Sequence, residues 1–265
     1  YEMSYASILD MLSLAGIPLL ASERGPGDPL VIAGGPCAFN PEPLHAFVDA
    51  FTIGDGEESV LEILDAVKAS KAAGEPREAL LLRLSRITGT YVPAFYGAAY
   101  HPDGRLKAFE PNRPDVPRSI RKAIVKDLNG AAYPERMIVP FQEIVHDRIM
   151  LEVMRGYTRG CRFCQAGMLY RPVRERSVER LLELADRLVD STGYEEMSLS
   201  SLSTGDYSCL PELAARLMAR FESSRVSLSL PSLRLDGNLS ESLAEAQKVR
   251  KSSLTFAPEA GTQRL

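Results

Sequence analysis

The sequence has no run of about eighteen apolar residues long enough to cross a membrane. Its opening residues also lack the basic stretch and cleavage pattern of a secretory signal, so a cytoplasmic location and no membrane partner are expected. A basic excess is missing too. The net charge of −4 argues against a broad nucleic-acid-binding surface, while a local basic patch still leaves nucleic acid open as a substrate. Cysteine is scarce, with four in 265 residues, too few for a disulfide framework in a chain of this length. The three histidines, His45, His101 and His146, have no zinc-finger spacing to any cysteine.

What is present is an ordinary globular balance, 45% hydrophobic and 25% charged, enough to bury the core of one large domain or two smaller ones. Residues 4–16 have helical apolar spacing and a glycine stop. The short apolar runs 29–33 and 50–53 read as buried parallel strands; the second leads through Gly54-Asp-Gly-Glu-Glu58 into a helix over 59–70. Gly34, Gly35, Gly54 and Gly56 stand at strand ends, where an open α/β sheet receives a cofactor. Residues 92–96 and 105–109 flank a His-Pro-Asp-Gly turn and predict a hairpin, followed by a proline-rich linker. The expected domains are 1–90, a partial α/β domain; 91–146, hairpin and linker; and 147–265, a second α/β domain.

From residue 147 the pattern repeats. A strand over 149–154 precedes a glycine- and arginine-rich cysteine loop, and Ser177 caps a helix with Val178, Leu181, Leu182, Ala185, Leu188 and Val189 on one face. Further strands are expected over 197–202, 226–230 and 254–256, and further helices over 210–221 and 239–249. In two of these strands Met197 and Leu199, and Val226, Leu228 and Leu230, alternate with serines. The apolar set is expected to face covering helices and the serines a wet cavity, as in a barrel with chemistry at its strand ends.

The loop itself reads Tyr157-Thr-Arg-Gly-Cys161-Arg-Phe-Cys164. A CxxC pair suits metal or redox chemistry, and an iron–sulfur loop, half of a zinc site and a thioredoxin-like pair all remain open on spacing alone. Arg155, Arg159, Arg162, Arg171, Arg174 and Arg176 crowd the same region. They would stabilise anions there, or simply be solvated or paired to glutamates.

A strand, this loop and βα repeats with serine-lined strands resemble the radical S-adenosylmethionine (SAM) enzymes, whose signature is CxxxCxxC. More narrowly, the chain is similar to a cobalamin-domain subfamily of poorly defined substrate, through Gly34-Gly-Pro-Cys-Ala-Phe-Asn-Pro-Glu-Pro43, Arg159-Gly-Cys-Arg-Phe-Cys-Gln-Ala-Gly167, Tyr170-Arg-Pro-Val-Arg-Glu-Arg-Ser177, Ser200-Ser-Leu-Ser-Thr-Gly-Asp-Tyr207 and the closing segment 255–265. The resemblance implies a partial Rossmann-like cobalamin-binding-type domain followed by a partial (β/α)6 radical SAM barrel that stops at its fourth strand. It implies a [4Fe–4S] cluster and SAM, and cobalamin at Gly34, Gly35, Gly54 and Gly56. By the same resemblance Cys161 and Cys164 are metal ligands, Phe163 packs near the adenine, Ser203, Thr204, Gly205 and Asp206 meet the SAM amino group, and Glu259 lies near the ribose or methionyl part. An electron donor such as flavodoxin or ferredoxin and methyl or related group transfer to an unknown substrate complete the expectation.

Tyr157 departs from this pattern, because it stands where the signature has its first cysteine and a phenol is a poor substitute for a thiolate. Three readings follow: a weakened cluster, a third ligand from elsewhere with Cys209 as the local candidate, or lost activity. The alternative to an enzyme is therefore a catalytically silent scaffold or binding protein that keeps the fold. Beginning at a tyrosine and ending at Leu265 after an unfinished element, the sequence reads as a fragment.

Overall fold

The computed structural model describes residues 1–142, 144–234, 240–251, 256, 261–262 and 264. It divides into two compact units, Tyr1–Val125 and Lys126–Leu265. No helix among the described residues is long and apolar enough to cross a membrane.

The first unit begins with helix α1 (Tyr5–Leu14), then strands β1 (Ile32–Ala33) and β2 (Ala50–Thr52), helices α2 (Ser59–Ala73) and α3 (Arg77–Leu84), and strand β3 (Thr90–Tyr91). β1 and β2 pair in parallel, as their buried apolar sequences predict, and β3 adds to β2 antiparallel. Neither α3 nor β3 is expected from the sequence. The Asp49 carboxylate, immediately before β2, is buried between the Arg24 and Arg77 guanidiniums, each 2.9 Å away, and accepts the Val31 N–H at 2.8 Å. Arg24 also donates to the carbonyls of Pro18, Leu19 and Phe47. A buried charge held this way is compensated through its Oδ2, and it fastens the long loop before β1 to the sheet.

The hairpin forms from β4 (Tyr96–Tyr100) and β5 (Leu106–Pro111), closed over the turn by His101 and Arg105. Its first arm lies further along the chain than the expected 92–96. Pro93 has no N–H to give to a ladder and instead starts a single 3-10 turn, Pro93–Phe95, so pairing begins only at Tyr96. The hairpin belongs to the first unit, where Tyr96 packs between Tyr91 and Phe109.

Beyond β2 the hydrogen-bonding track passes to a segment of the proline-rich connection. The Ile53 N–H donates to Gly89 O, while Ile53 O accepts from the Ala123 N–H and the Asp55 N–H donates to Ala123 O. The Asp55 carboxylate then accepts the Val125 N–H at 2.8 Å. Gly54, at φ +109°, lies so close to the Ala123 backbone that a Cβ would overlap its carbonyl.

The second unit has β6 (Ile149–Glu152), β7 (Met154–Arg155), α4 (Ala166–Leu169), β8 (Arg174–Glu175), α5 (Val178–Thr192), β9 (Glu196–Ser200), α6 (Leu210–Phe221), β10 (Ser227–Ser229) and α7 (Ser240–Ala246). Strands β6, β9 and β10 form a parallel sheet with β9 central, in register Ile149 with Met197 and Leu228 with Met197. Ile149, Leu151, Met197 and Leu199 pack with Leu181, Leu184 and Leu188 of α5 and Leu213 and Leu217 of α6 into one core. Removing each such side chain from water contributes about 2 kcal/mol, which makes this layer the main support of the unit. Ser177 caps α5 as expected, its Oγ accepting the Arg180 N–H at 3.2 Å.

The serine faces differ from expectation. Ser198 and Ser227 are buried, and Ser227 Oγ donates to Glu195 O, so only Ser200 and Ser229, nearer the carboxyl ends, are half-exposed. Ser227 and Ser229 nonetheless line a cleft together with Arg148, Glu196 and Arg250. Of the expected strand 254–256, Phe256 bridges Leu233 in parallel, and the rest lies outside the described residues.

Replacing Gly54 by alanine should destabilise the first unit by about 2–4 kcal/mol, since the added Cβ meets a backbone carbonyl in a conformation L residues avoid. Denaturant unfolding followed by circular dichroism checks this. An unchanged midpoint would show that the 123–125 segment is not fastened to β2.

Candidate functional site

Parallel register puts the carboxyl ends of β6, β9 and β10 side by side, so the loops that follow them share one edge of the sheet. After β6, the Glu152 carboxylate holds Arg155 at 2.9 Å and the buried Arg176 at 3.0 Å. Arg176 also donates to the carbonyls of Glu152 and Leu128, and its guanidinium lies 5.0 Å over the Tyr133 ring. Burial pushes the Glu152 carboxyl up, but Arg155 and Arg176 more than offset this and leave it below the usual carboxylate range. The Tyr207 hydroxyl donates to Arg176 O at 2.8 Å; burial raises its phenol well above the ordinary value, so it stays a neutral donor.

β7 and β8 pair antiparallel and hold the root of the cysteine loop. Gly156 turns there at φ +99°, pressed against the Pro172 backbone in a space that no side chain fits. Cys161 is exposed and Cys164 half-buried, both as free thiols, in a turn closed by the Cys164 N–H donating to Cys161 O at 3.0 Å. Phe163 between them is 77% exposed, its ring uncovered by protein. Tyr157 is half-buried, its Cδ1 3.5 Å from where a Cβ on the buried Gly167 would stand.

The loop after β9 carries Ser203, Thr204, Gly205 and Asp206, with a 3-10 turn Thr204–Asp206. Ser203 and Thr204 are buried, Gly205 and Asp206 half-buried, and Thr204 Oγ1 meets Ser201 Oγ at 3.1 Å. Ser203 Oγ and Asp206 Oδ2 are both buried with no hydrogen-bond partner among the described residues. Burying such atoms unpaired costs about 1–3 kcal/mol each, and ligand sites are where that cost is offset. Asp206 Oδ1 faces Arg159 of the cysteine loop at 3.4 Å, and Oδ2 faces Arg234, just after β10, at 3.6 Å. One carboxylate thus gathers the loops of all three strands.

Of the crowded arginines, Arg155 and Arg176 serve Glu152, Arg174 donates to the carbonyls of Pro172 and Tyr170, and Arg159 reaches the β9 loop. Sequence reasoning does not find Arg234 or Glu152, because nothing local in the chain marks either; their roles come from strand order. Glu259 lies outside the described residues. Cys209 precedes α6 and packs on the core. Among the described residues no group of three or more His, Cys, Asp and Glu side chains is placed to hold a metal ion. In the first unit Gly54 is filled by Ala123, Gly34 lies 3.6 Å from Thr52 O, and Gly35 and Gly56 border open space.

The fold and site define an α/β protein with a cysteine loop at the carboxyl end of a parallel sheet. The family of radical SAM proteins, N-terminal, matches residues 1–93, and the Radical SAM superfamily matches residues 151–265. The chain thus carries a radical SAM N-terminal domain and a radical SAM domain. It is 28% identical over 239 residues to the uncharacterized protein MJ0966 of Methanocaldococcus jannaschii, covering 89% of this chain and 44% of that protein. Two solved structures of the radical SAM methyltransferase TsrM from Kitasatospora setae share the fold at TM-score 0.52. One, with tryptophan substrate and the SAM analog aza-SAM bound, is 13% identical and matches over 88% of this chain and 42% of its own. The other, with cobalamin and a [4Fe–4S] cluster bound, is 10% identical over 86% and 41%. The chain therefore spans less than half the length of these relatives. The likeness bears out the mixed α/β fold with a partial radical SAM barrel.

The superfamily implies a [4Fe–4S] cluster and SAM. The unpartnered Ser203 Oγ and Asp206 Oδ2 fit SAM, as buried acceptors facing a strand-end loop. The cysteine loop does not fit a cluster held by three thiolates, because it offers two thiols and a phenol. No donor set marks the amino-terminal glycines as a cobalamin cradle.

Replacing Glu152 by glutamine should cost about 3 kcal/mol at neutral pH, by leaving the buried Arg176 cation without its counter-charge. Folding lowers the Glu152 pKa, so this stabilisation is fully present above the unfolded value of about 4.3 and is lost as pH falls through the lower folded value. Thermal unfolding of both forms across acidic pH checks it: the gap should be constant near neutrality and close on acidification. A gap that widens towards low pH would contradict the pairing.

Proposed function

We propose that this chain is the SAM-binding portion of an enzyme that transfers a methyl or related group from SAM to a substrate of unknown class. The observation that carries the reading is the pair of buried oxygens without a hydrogen bond, Ser203 Oγ and Asp206 Oδ2, at the carboxyl end of the central strand. In this reading Asp206 Oδ2 accepts from the SAM ammonium and Ser203 Oγ completes the contact. Arg159 fixes the Asp206 rotamer through Oδ1 and holds the cysteine loop over the site. Phe163, uncovered by protein, offers a face for the adenine to stack on. Bound SAM supplies a sulfonium-activated methyl group, whose transfer to a nucleophile consumes no electron. The methyltransferase TsrM, solved with a SAM analog and with cobalamin, supports group transfer as the reaction class. A silent scaffold is the second reading, and Tyr157 is the residue that favours it.

Equilibrium dialysis of labelled SAM against this chain tests the proposal. Asp206→Asn should weaken binding by about 10–100-fold, the worth of one charge-assisted hydrogen bond, and Ser203→Ala by about tenfold or less. Ser203→Ala should keep the wild-type unfolding midpoint or exceed it, because it removes an unsatisfied buried hydroxyl, whereas Asp206→Asn gives up the ion pairs with Arg159 and Arg234 and should lower it slightly. Equal SAM binding by all three forms, or none by any, would overturn the assignment.

A further inference from the structure

Protein contacts hold the cysteine loop in place. Gly156 is wedged against the Pro172 backbone, β7 is paired to β8, the Cys164 N–H closes the turn on Cys161 O, and Arg159 is pinned to Asp206. Tyr157 is half-buried, and its ring and the Arg159 carbonyl both stand beside Gly167 in α4, where a Cβ would lie 3.5 Å from Tyr157 Cδ1 and 2.9 Å from Arg159 O.

Cluster irons are held by thiolates, and the family loop supplies three. Here the first of the three positions carries a phenol, a hard oxygen donor that lies at the far end of a rigid ring where the family loop has a sulfur on the Cβ. A soft iron–sulfur site is not served by that donor. Cys209, the one nearby thiol in sequence, is committed to the start of α6 and its core contacts, and forms no metal-holding group with Cys161 and Cys164 among the described residues.

We infer that Tyr157 is the residue that withholds the cluster from this chain: it puts a phenol where the loop needs its third thiolate, and exchanging it for cysteine is sufficient to restore a three-thiolate [4Fe–4S] site. The inference rests on the reading of this region as a SAM site, and it makes the chain a SAM site whose two thiols are left as a free dithiol.

The experiment is anaerobic reconstitution of this chain with ferrous iron and sulfide, side by side as wild type, Tyr157→Phe, Tyr157→Cys and Tyr157→Cys/Cys161→Ser, with iron and sulfide content and the reduced low-temperature EPR spectrum as readouts. Tyr157→Cys should bind about four irons per chain, and the other three forms far less. In cluster-free wild type and Tyr157→Phe both Cys161 and Cys164 should alkylate under native conditions, and in reconstituted Tyr157→Cys neither should. Four irons on the wild type would overturn the inference, and their loss in Tyr157→Phe would then identify the phenol as the ligand. An empty Tyr157→Cys that unfolds at the wild-type midpoint would overturn it as well, by showing that another feature keeps the cluster out. SAM dialysis of the same four samples, with Asp206→Asn alongside, separates this result from the reading beneath it. SAM binding that is lost in Asp206→Asn supports the SAM site whatever the iron content, whereas SAM binding by none of the forms removes that reading even where Tyr157→Cys fills with iron.

Discussion

The buried Arg176 guanidinium is the interaction on which the rest of the second unit depends. It satisfies the Glu152 carboxylate and the Glu152 and Leu128 carbonyls, lies on the Tyr133 ring, and offers its own carbonyl to the Tyr207 hydroxyl. A cation this deeply buried is tolerated only when its donors are matched, so each partner is held where it is. Those partners are the end of β6 and the residue directly after the 203–206 loop. The cysteine loop and the loop after β9 are thereby presented side by side before any ligand arrives, the condition for a preorganised site.

The Arg159–Asp206 pair works differently. Both side chains are partly exposed, so it contributes little to stability, in the range of ordinary surface ion pairs. Its consequence is positional: it commits Oδ1 and leaves Oδ2 facing inward, buried and short of a hydrogen bond. Strain of this modest kind, supported by a rigid sheet behind it, is where a binding site is expected.

Much of this was legible in the sequence, for identifiable reasons. Helices α5 and α6 are long enough for their apolar spacing to be unambiguous, and Ser177 marks the start of α5. Helix α3 escaped because its leucines, Leu80, Leu81, Leu82 and Leu84, run together without a clean face, and β3 is two residues long, too short to carry a period. The first hairpin arm was displaced by Pro93, whose missing N–H outweighs the β-forming residues around it. Glycines deceived in another way. Gly54 has the look of a cofactor turn, yet its freedom serves the close passage of Ala123, a partner seventy residues away that no local pattern announces.

The sequence by itself determined the family and the anomaly within it. The spacing of Cys161 and Cys164, the 203–206 segment and Tyr157 in place of a cysteine are properties of covalent order, and folding does not alter them. Only the tertiary structure decided which of the arginines serves the site, that Arg234 shares it, that Cys209 does not, and that Ser203 and Asp206 turn unpartnered atoms inward. Those facts follow from strand order and burial, since a parallel sheet brings together loops that the chain keeps tens of residues apart, and its core decides which of their polar atoms are left without water.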